Sequence, residues 1–192
     1  LPPAARPLTG VDDAAGYERY AVTPSGVSPR LLPGFTEAVV VLDSDEHTPD
    51  GHITEDLAVR VAMQDKRMRK LTGLARAALP PDLYGDPAGA TLIACWGSTL
   101  GAALEAAEGL RGRGQAACVL HFSQVWPLSP ETFLPALSVA RRTVMVEGNF
   151  VGQFARLLRR ETGFVFDALV TRYDGLPFTA AYILDRLTEA AQ

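Results

Sequence analysis

The clearest change of hydrophobic period along this chain lies in residues 90–110. Thr91–Trp96 is a short aliphatic run, the pattern of a strand buried on both faces. Gly97 breaks it. From Leu100 the apolar residues recur at helical spacing: Leu100, Ala103, Leu104, Ala107 and Leu110. Ser98 or Thr99 can cap that helix by accepting from a free backbone N–H. Strand, Gly97-Ser98-Thr99 turn and helix make the opening unit of a parallel α/β sheet.

The same plan repeats to the C-terminus. Strands are predicted over 116–122, 143–147 and 167–171, with the Thr91 strand central. Helices are predicted over 130–139, 152–161 and 179–187, the second ended by Gly163. The front is different. Residues 1–35 are punctuated by Pro2, Pro3, Pro7, Pro24, Pro29 and Pro33 with glycines between them, too little apolar surface to fold alone. Residues 38–42, Ala-Val-Val-Val-Leu, read as a strand. A long helix follows over about 55–79, capped by Thr54 and halted by Pro80 and Pro81. Leu57, Val61, Gln64, Met68, Leu71, Ala75 and Ala78 form its apolar stripe. That stripe is expected to pack, either on the α/β domain or on another chain. At a full core position, Leu→Ala there would cost roughly 2–5 kcal/mol. The expected organisation is a linker segment with a long helix over 1–85 and an α/β domain over 86–192.

Composition narrows the function classes. A net charge of −4 over 192 residues argues against a nucleic-acid footprint, and no apolar run approaches the length of a membrane helix. Cys95 and Cys118 both fall inside predicted strands and outside any Cys-x-x-Cys pair. Zinc and iron–sulfur ligation therefore gain no support, and buried thiols point to a reducing, cytoplasmic setting. The chain opens on Leu1 rather than Met, as a piece of a longer polypeptide would.

Three predicted loops share the carboxyl edge of the sheet, where ligands collect in such folds: 97–99, 121–123 and 147–149. Gly97, Ser98 and Thr99 could hold an anion at a helix N-terminus. The plainer account is a turn glycine with a cap. The spacing matches neither a dinucleotide fingerprint nor a P-loop. Ser98, His121 and Glu147 lack the Gly-x-Ser-x-Gly elbow of a nucleophile, and a histidine satisfied at a strand end explains His121 more simply. His47 and His52 stand among Asp43, Asp45, Glu46, Asp50, Glu55 and Asp56. The loop fails the calcium pattern, and a solvated acidic loop accounts for it better than a metal site. Lys66, Arg67, Arg69 and Lys70 read as a solvated helix face or as partners of an acidic neighbour. Tyr17, Tyr20 and Arg30 are candidate anchors for a loop ordered by docking.

In combination, these motifs resemble a known family. Tyr17-Glu18-Arg19-Tyr20, Thr23-Pro24-Ser25-Gly26-Val27-Ser28-Pro29-Arg30, Pro33-Gly34, Asp45-Glu46-His47, Gly51-His52-Ile53-Thr54-Glu55-Asp56 and Lys66-Arg67 with Lys70 resemble the alpha subunit of 2-oxoacid:ferredoxin oxidoreductases. Trp96-Gly97-Ser98-Thr99, Glu147-Gly148-Asn149, Gly152-Gln153, Tyr173-Asp174-Gly175 and Pro177-Phe178 resemble the same subunit's C-terminal end. The resemblance covers nearly the whole chain, in order. It implies a fold similar to the transketolase C-terminal domain, a three-layer α/β/α unit with a mostly parallel sheet and a short antiparallel edge strand near Leu83.

The resemblance also implies a complete enzyme that uses thiamine diphosphate, magnesium and iron–sulfur clusters. That enzyme decarboxylates a 2-oxoacid, transfers the acyl group to coenzyme A and reduces ferredoxin. Its partners would be the remainder of the alpha subunit, a beta subunit and ferredoxin, in an oligomer. None of the cofactors is expected on this chain alone, because the family's thiamine-side residues would precede Leu1 or belong to the beta subunit. No catalytic residue and no metal ligand is carried over. The ligand or interface candidates are Arg30, His47, His52, Gly97, Ser98, Thr99, Glu147, Asn149 and Gln153. Two other readings are a free-standing small-molecule-binding module built on the Gly97-Ser98-Thr99 turn, and the C-terminal domain of another thiamine enzyme.

Overall fold

The computed structural model describes residues 16–31 and 39–189. They fall into two compact units, divided between Arg76 and Ala77.

In the second unit, β1 (Asp82–Tyr84), β2 (Thr91–Trp96), β3 (Ala117–Phe122), β4 (Arg142–Glu147) and β5 (Ala168–Thr171) form one sheet in the order β1-β3-β2-β4-β5. The Thr91 strand is central, as expected. β2 runs parallel to β3 and β4, and β4 parallel to β5. The edge strand β1 lies antiparallel on β3, with Leu83 opposite Leu120. The alternation of side chains along a strand divides the core into two layers. Leu92, Ala94, Cys118, Leu120 and Met145 face Phe133, Leu137, Phe154 and Leu158, from the segment of α3 (Leu134–Val139) and α4 (Gln153–Thr162). Ile93, Cys95, Val119, Val144 and Val170 face Ala103, Ala107 and Leu110 of α2 (Leu100–Gly112), and Ile183 and Leu187 of α5 (Ala180–Glu189). A Cβ on Gly109 of α2 would fall 2.9 Å from Leu184 Cδ1, so a larger residue there would make the Leu184 side chain shift. This is the three-layer α/β/α arrangement the sequence implies. Gly163, with φ of 77°, ends α4 by donating its N–H to the Arg159 carbonyl at 2.8 Å.

Two local expectations fail in this unit. Neither Ser98 nor Thr99 caps α2. A single 3-10 turn, Gly97–Thr99, carries the chain into the helix, and Thr99 Oγ1 donates back to the Trp96 carbonyl at 2.7 Å. The helix expected over 130–139 divides into a 3-10 turn, Pro130–Thr132, and the short α3. Pro135 has no N–H to give to a continuous helix through this segment.

In the first unit, α1 is Leu57–Arg76, shorter at both ends than the pattern suggested. Its cap is Asp56, whose Oδ1 accepts from the N–H of Ala58 at 2.7 Å and of Val59 at 3.2 Å. Thr54, the expected cap, accepts instead from Asp56 N–H just outside the helix. The strand expected over 38–42 is not formed. Ala38 lies outside the described residues, and 39–42 pair with no strand. An isolated extended segment has no ladder to join. Here Val41 passes so close to Gly51 that a Cβ there would sit 2.5 Å from the Val41 carbonyl.

The buried face of α1 is also not the expected one. Met63 and Lys66 are its buried residues, while Leu57, Val61 and Met68 of the apolar stripe are 79%, 60% and 56% exposed. The reason is that a polar loop, residues 17–31, lies on the helix. Its carbonyls need donors, and the basic residues supply them: Lys66 Nζ to Tyr20 O at 2.6 Å and Arg69 to Thr23 O at 3.4 Å.

Candidate functional site

The carboxyl ends of β2, β3 and β4 bring the three predicted edge loops together. His121 Nε2 lies 3.0 Å from the Gly97 carbonyl, and Trp96 Nε1 donates to Glu147 Oε2 at 3.4 Å. Glu147 is fully buried. Its carboxylate also accepts from Asn149 Nδ2 at 2.7 Å and from the N–H groups of Phe154 at 2.9 Å and Ala155 at 3.0 Å. Asn149 Oδ1 in turn accepts from the Gln153 N–H at 3.0 Å. Glu147, Asn149 and Gln153 thus form one constellation, and it satisfies the free amides at the start of α4. Its acceptors are spent on the fold.

Ser98 is exposed, and His121 is bound to the Gly97 carbonyl rather than to a hydroxyl, so the three residues form no catalytic triad. A shallow cavity of about 600 Å³ opens at this edge, lined by Ser98, Thr99, Gly148, Arg172, Tyr173 and Phe178 among others. Its cation is already engaged: Arg172 pairs with Asp174 at 2.9 Å and donates to the Pro177 carbonyl at 2.6 Å. The Arg172 cation beside the Gly97-Ser98-Thr99 turn is therefore already paired.

In the first unit, His47 and His52 are held differently. Residues 46–54 fold back on themselves through the His47–Ile53 bridge and the Thr54 N–H to Glu46 O bond at 2.9 Å. His47 is buried and stacks on the Tyr20 ring at 3.6 Å between centroids. Its Nδ1 is buried without a hydrogen-bond partner. His52 is exposed and pairs with Asp50 at 2.9 Å. Asp50 is held down to about 2, first by the Thr48 hydroxyl and then by the His52 backbone N–H. Among the described residues, no three His, Cys, Asp or Glu side chains are grouped to hold a metal ion.

Arg30, the remaining candidate, belongs to a site the sequence did not assemble. The 17–31 loop and α1 enclose a cavity of about 400 Å³ lined by Arg19, Arg30, Lys66, Arg67 and Lys70, with Val27, His47 and Met63 in its wall. Arg67 makes two hydrogen bonds to Glu46, at 2.7 and 3.1 Å, and Arg60 adds a third at 2.8 Å. Foremost through the Arg67 bonds, the Glu46 carboxyl is lowered to about 2. Among the described residues, Lys66 has no such partner. Burial, and then the charges of Arg67, Arg19, Lys70 and Arg69, lower its pKa. Gly26 brings the loop down on the helix: its φ is +77°, and a Cβ would fall 2.4 Å from the Lys66 carbonyl. Tyr17, read as an anchor, accepts the Leu31 N–H at 3.0 Å and so closes this loop. The only signal in the sequence was the basic run 66–70 beside a Gly/Pro-rich segment.

No family model matches the chain. Curated relatives do. The chain is 32% identical over 185 residues to the alpha subunit of 2-oxoacid:ferredoxin oxidoreductase 2 of Aeropyrum pernix, covering 93% of this chain and 28% of that subunit. It is 35% identical over 146 residues to the alpha subunit of the same organism's oxidoreductase 1, covering 73% of this chain and 23% of that subunit. Among solved structures, the 2-oxoglutarate:ferredoxin oxidoreductase of Magnetococcus marinus aligns with a TM-score of 0.72 and 27% identity. That alignment covers 92% of this chain and 31% of the other; the structure carries 2-oxoglutarate, coenzyme A and succinyl-CoA. This chain is a relative of the 2-oxoacid:ferredoxin oxidoreductase alpha subunits. It spans about a quarter of their length.

The iron–sulfur clusters and magnesium implied for a 2-oxoacid:ferredoxin oxidoreductase do not fit the described residues. Cys95 and Cys118 lie in opposite core layers, both fully buried. Desolvation raises both thiols to about 11, so they are protonated in the core rather than thiolates offered to a cluster. Among the described residues, no three His, Cys, Asp or Glu side chains are grouped to hold magnesium.

Proposed function

We propose that this chain is the C-terminal part of the alpha subunit of a thiamine diphosphate-dependent 2-oxoacid:ferredoxin oxidoreductase, an enzyme that oxidatively decarboxylates a 2-oxoacid to an acyl-CoA. Its own role is structural: it builds subunit interface around a catalytic centre supplied by the rest of the enzyme. The observation that carries this reading is the likeness to one subunit over 93% of the chain, more than either unit alone could supply. A free-standing binding module would need no such span.

The surfaces suit an interface. Leu57, Val61 and Met68 on α1 are exposed, as are Phe150, Tyr173 and Leu176 near the sheet edge, where the Phe150 and Tyr173 rings meet edge-to-face at 4.7 Å. Exposed apolar groups gathered in this way mark contact surfaces. Its partners on this reading are the remainder of the alpha subunit, the beta subunit and, through the complex, ferredoxin, in a cytoplasmic oligomer. Among the described residues, no helix is long and apolar enough to cross a membrane.

The test of the structural role is an assay of the purified 192-residue chain with 2-oxoacids, thiamine diphosphate, magnesium, coenzyme A and a viologen acceptor. No turnover is expected. Acceptor reduction by this chain alone would overturn the assignment.

A further inference from the structure

We infer that the cationic cavity between the 17–31 loop and α1 binds a ligand that carries a phosphate ester or a diphosphate. The inference goes beyond the enzyme assignment and does not rest on it, since it uses only charge, burial and volume in the first unit.

Arg19, Arg30, Lys66, Arg67 and Lys70 converge on one cavity. Glu46 is divided between Arg60 and Arg67. Among the described residues, no carboxylate pairs with Arg19, Arg30, Lys66 or Lys70. Lys66 is 7% exposed, and its ammonium is met by the Tyr20 carbonyl and by other cations. An ammonium buried in that company is costly unless a counter-charge enters. His47 Nδ1, buried in the same lining with no partner, is a further polar atom waiting for one.

The number of unpaired cations selects the anion. A carboxylate brings one charge and two oxygens, too few for four cationic side chains. A phosphate ester or diphosphate brings more charge on more oxygens, and arginine forks and lysine ammonium groups are the side chains that take it up. Volume and lining select the rest. About 400 Å³ lies in the range of ligand cavities and leaves room beyond a single phosphate group. Val27 and Met63 give that remaining space an apolar wall. The Tyr20–His47 stack and Gly26 hold the loop in place over the helix.

The experiment is isothermal titration of the full 192-residue chain with pyrophosphate, glycerol 3-phosphate, inorganic phosphate and acetate, repeated at two salt concentrations. Pyrophosphate or glycerol 3-phosphate is expected to bind saturably, at least tenfold tighter than acetate and tighter than inorganic phosphate, and more weakly at high salt. Whichever of the two binds tighter identifies the group. Arg30 and Lys70 are exposed, so the double variant Arg30→Gln/Lys70→Gln should melt like the parent and lose at least tenfold in affinity. Arg156→Gln, in the second unit, should bind as the parent does. The inference is overturned if neither pyrophosphate nor glycerol 3-phosphate binds saturably. It is equally overturned if acetate or inorganic phosphate binds as tightly, or if the double variant keeps its affinity; the first of these outcomes would leave the cavity to an acidic side chain of another polypeptide.

Discussion

Removing the Glu147 carboxylate should destabilise the second unit more than any surface change in the chain. The side chain is 0% exposed at the end of β4 and takes four donors, from Trp96, Asn149, Phe154 and Ala155. Phe154 and Ala155 are themselves buried, so Glu147→Ala leaves two first-turn amides of α4 without acceptors. Each orphaned buried donor costs about 1–3 kcal/mol, which gives about 2–6 kcal/mol for the pair. Against a typical domain stability of about 5–15 kcal/mol, that is a large share. Glu147→Gln keeps the volume and one acceptor but sets an NH2 against an N–H, so it should fall between parent and alanine. The assay is urea unfolding followed by far-UV circular dichroism and by the fluorescence of Trp96 and Trp126, with hydrogen exchange read at residues 154 and 155. An alanine variant with an unchanged midpoint and both amides still protected would refute the reasoning.

Cys95 and Cys118, with thiols raised to about 11 by burial, should resist alkylation in the native chain at pH 8, and both should react once urea unfolds it; thiol counting by mass spectrometry reads the difference. Glu46 is lowered from 4.5 to about 2, so its contribution to the first unit is present above its unfolded value and lost as pH falls from about 4.5 through about 2. Hydrogen exchange of α1 should therefore speed up across that window in the parent, and Glu46→Gln should flatten the dependence. Leu57 is 79% exposed, so Leu57→Ala should change the melting free energy of the isolated chain by no more than about 0.5 kcal/mol, and any larger cost should appear only in assembly with other subunits. A core-sized loss in the isolated chain would contradict the exposure of that stripe.

The sheet was legible because its signal is local. Thr91–Trp96 is apolar at nearly every position, as a strand covered on both faces must be, and β2 occupies those residues in the centre of the sheet. Gly163 announces the end of α4 for an equally local reason, its left-handed backbone. The helix α1 was legible as a helix but not in its orientation. Periodicity marks Leu57, Val61 and Met68 as the inward face, yet the segment that covers the helix is a loop whose carbonyls select Lys66 and Arg69. Thr54 and Asp56 are both competent caps two residues apart, and only the backbone path chooses Asp56. The cationic cavity was illegible because Tyr20 and Lys66 stand 46 positions apart, and Glu46 and Arg67 stand 21 apart. The basic run suggested an acidic neighbour, and Glu46 is that neighbour for Arg67. Nothing in the spacing shows that Lys66 turns inward without one.

The central claim is that this chain works inside a 2-oxoacid:ferredoxin oxidoreductase. It is tested most directly by recovering the native complex from the source cell through an affinity tag on the chain, then measuring 2-oxoacid- and coenzyme A-dependent reduction of ferredoxin by that complex. The account predicts that this activity co-purifies with the tagged chain together with at least one further subunit. A chain that is recovered free of other subunits, or in a complex that reduces no ferredoxin with any 2-oxoacid, would contradict it.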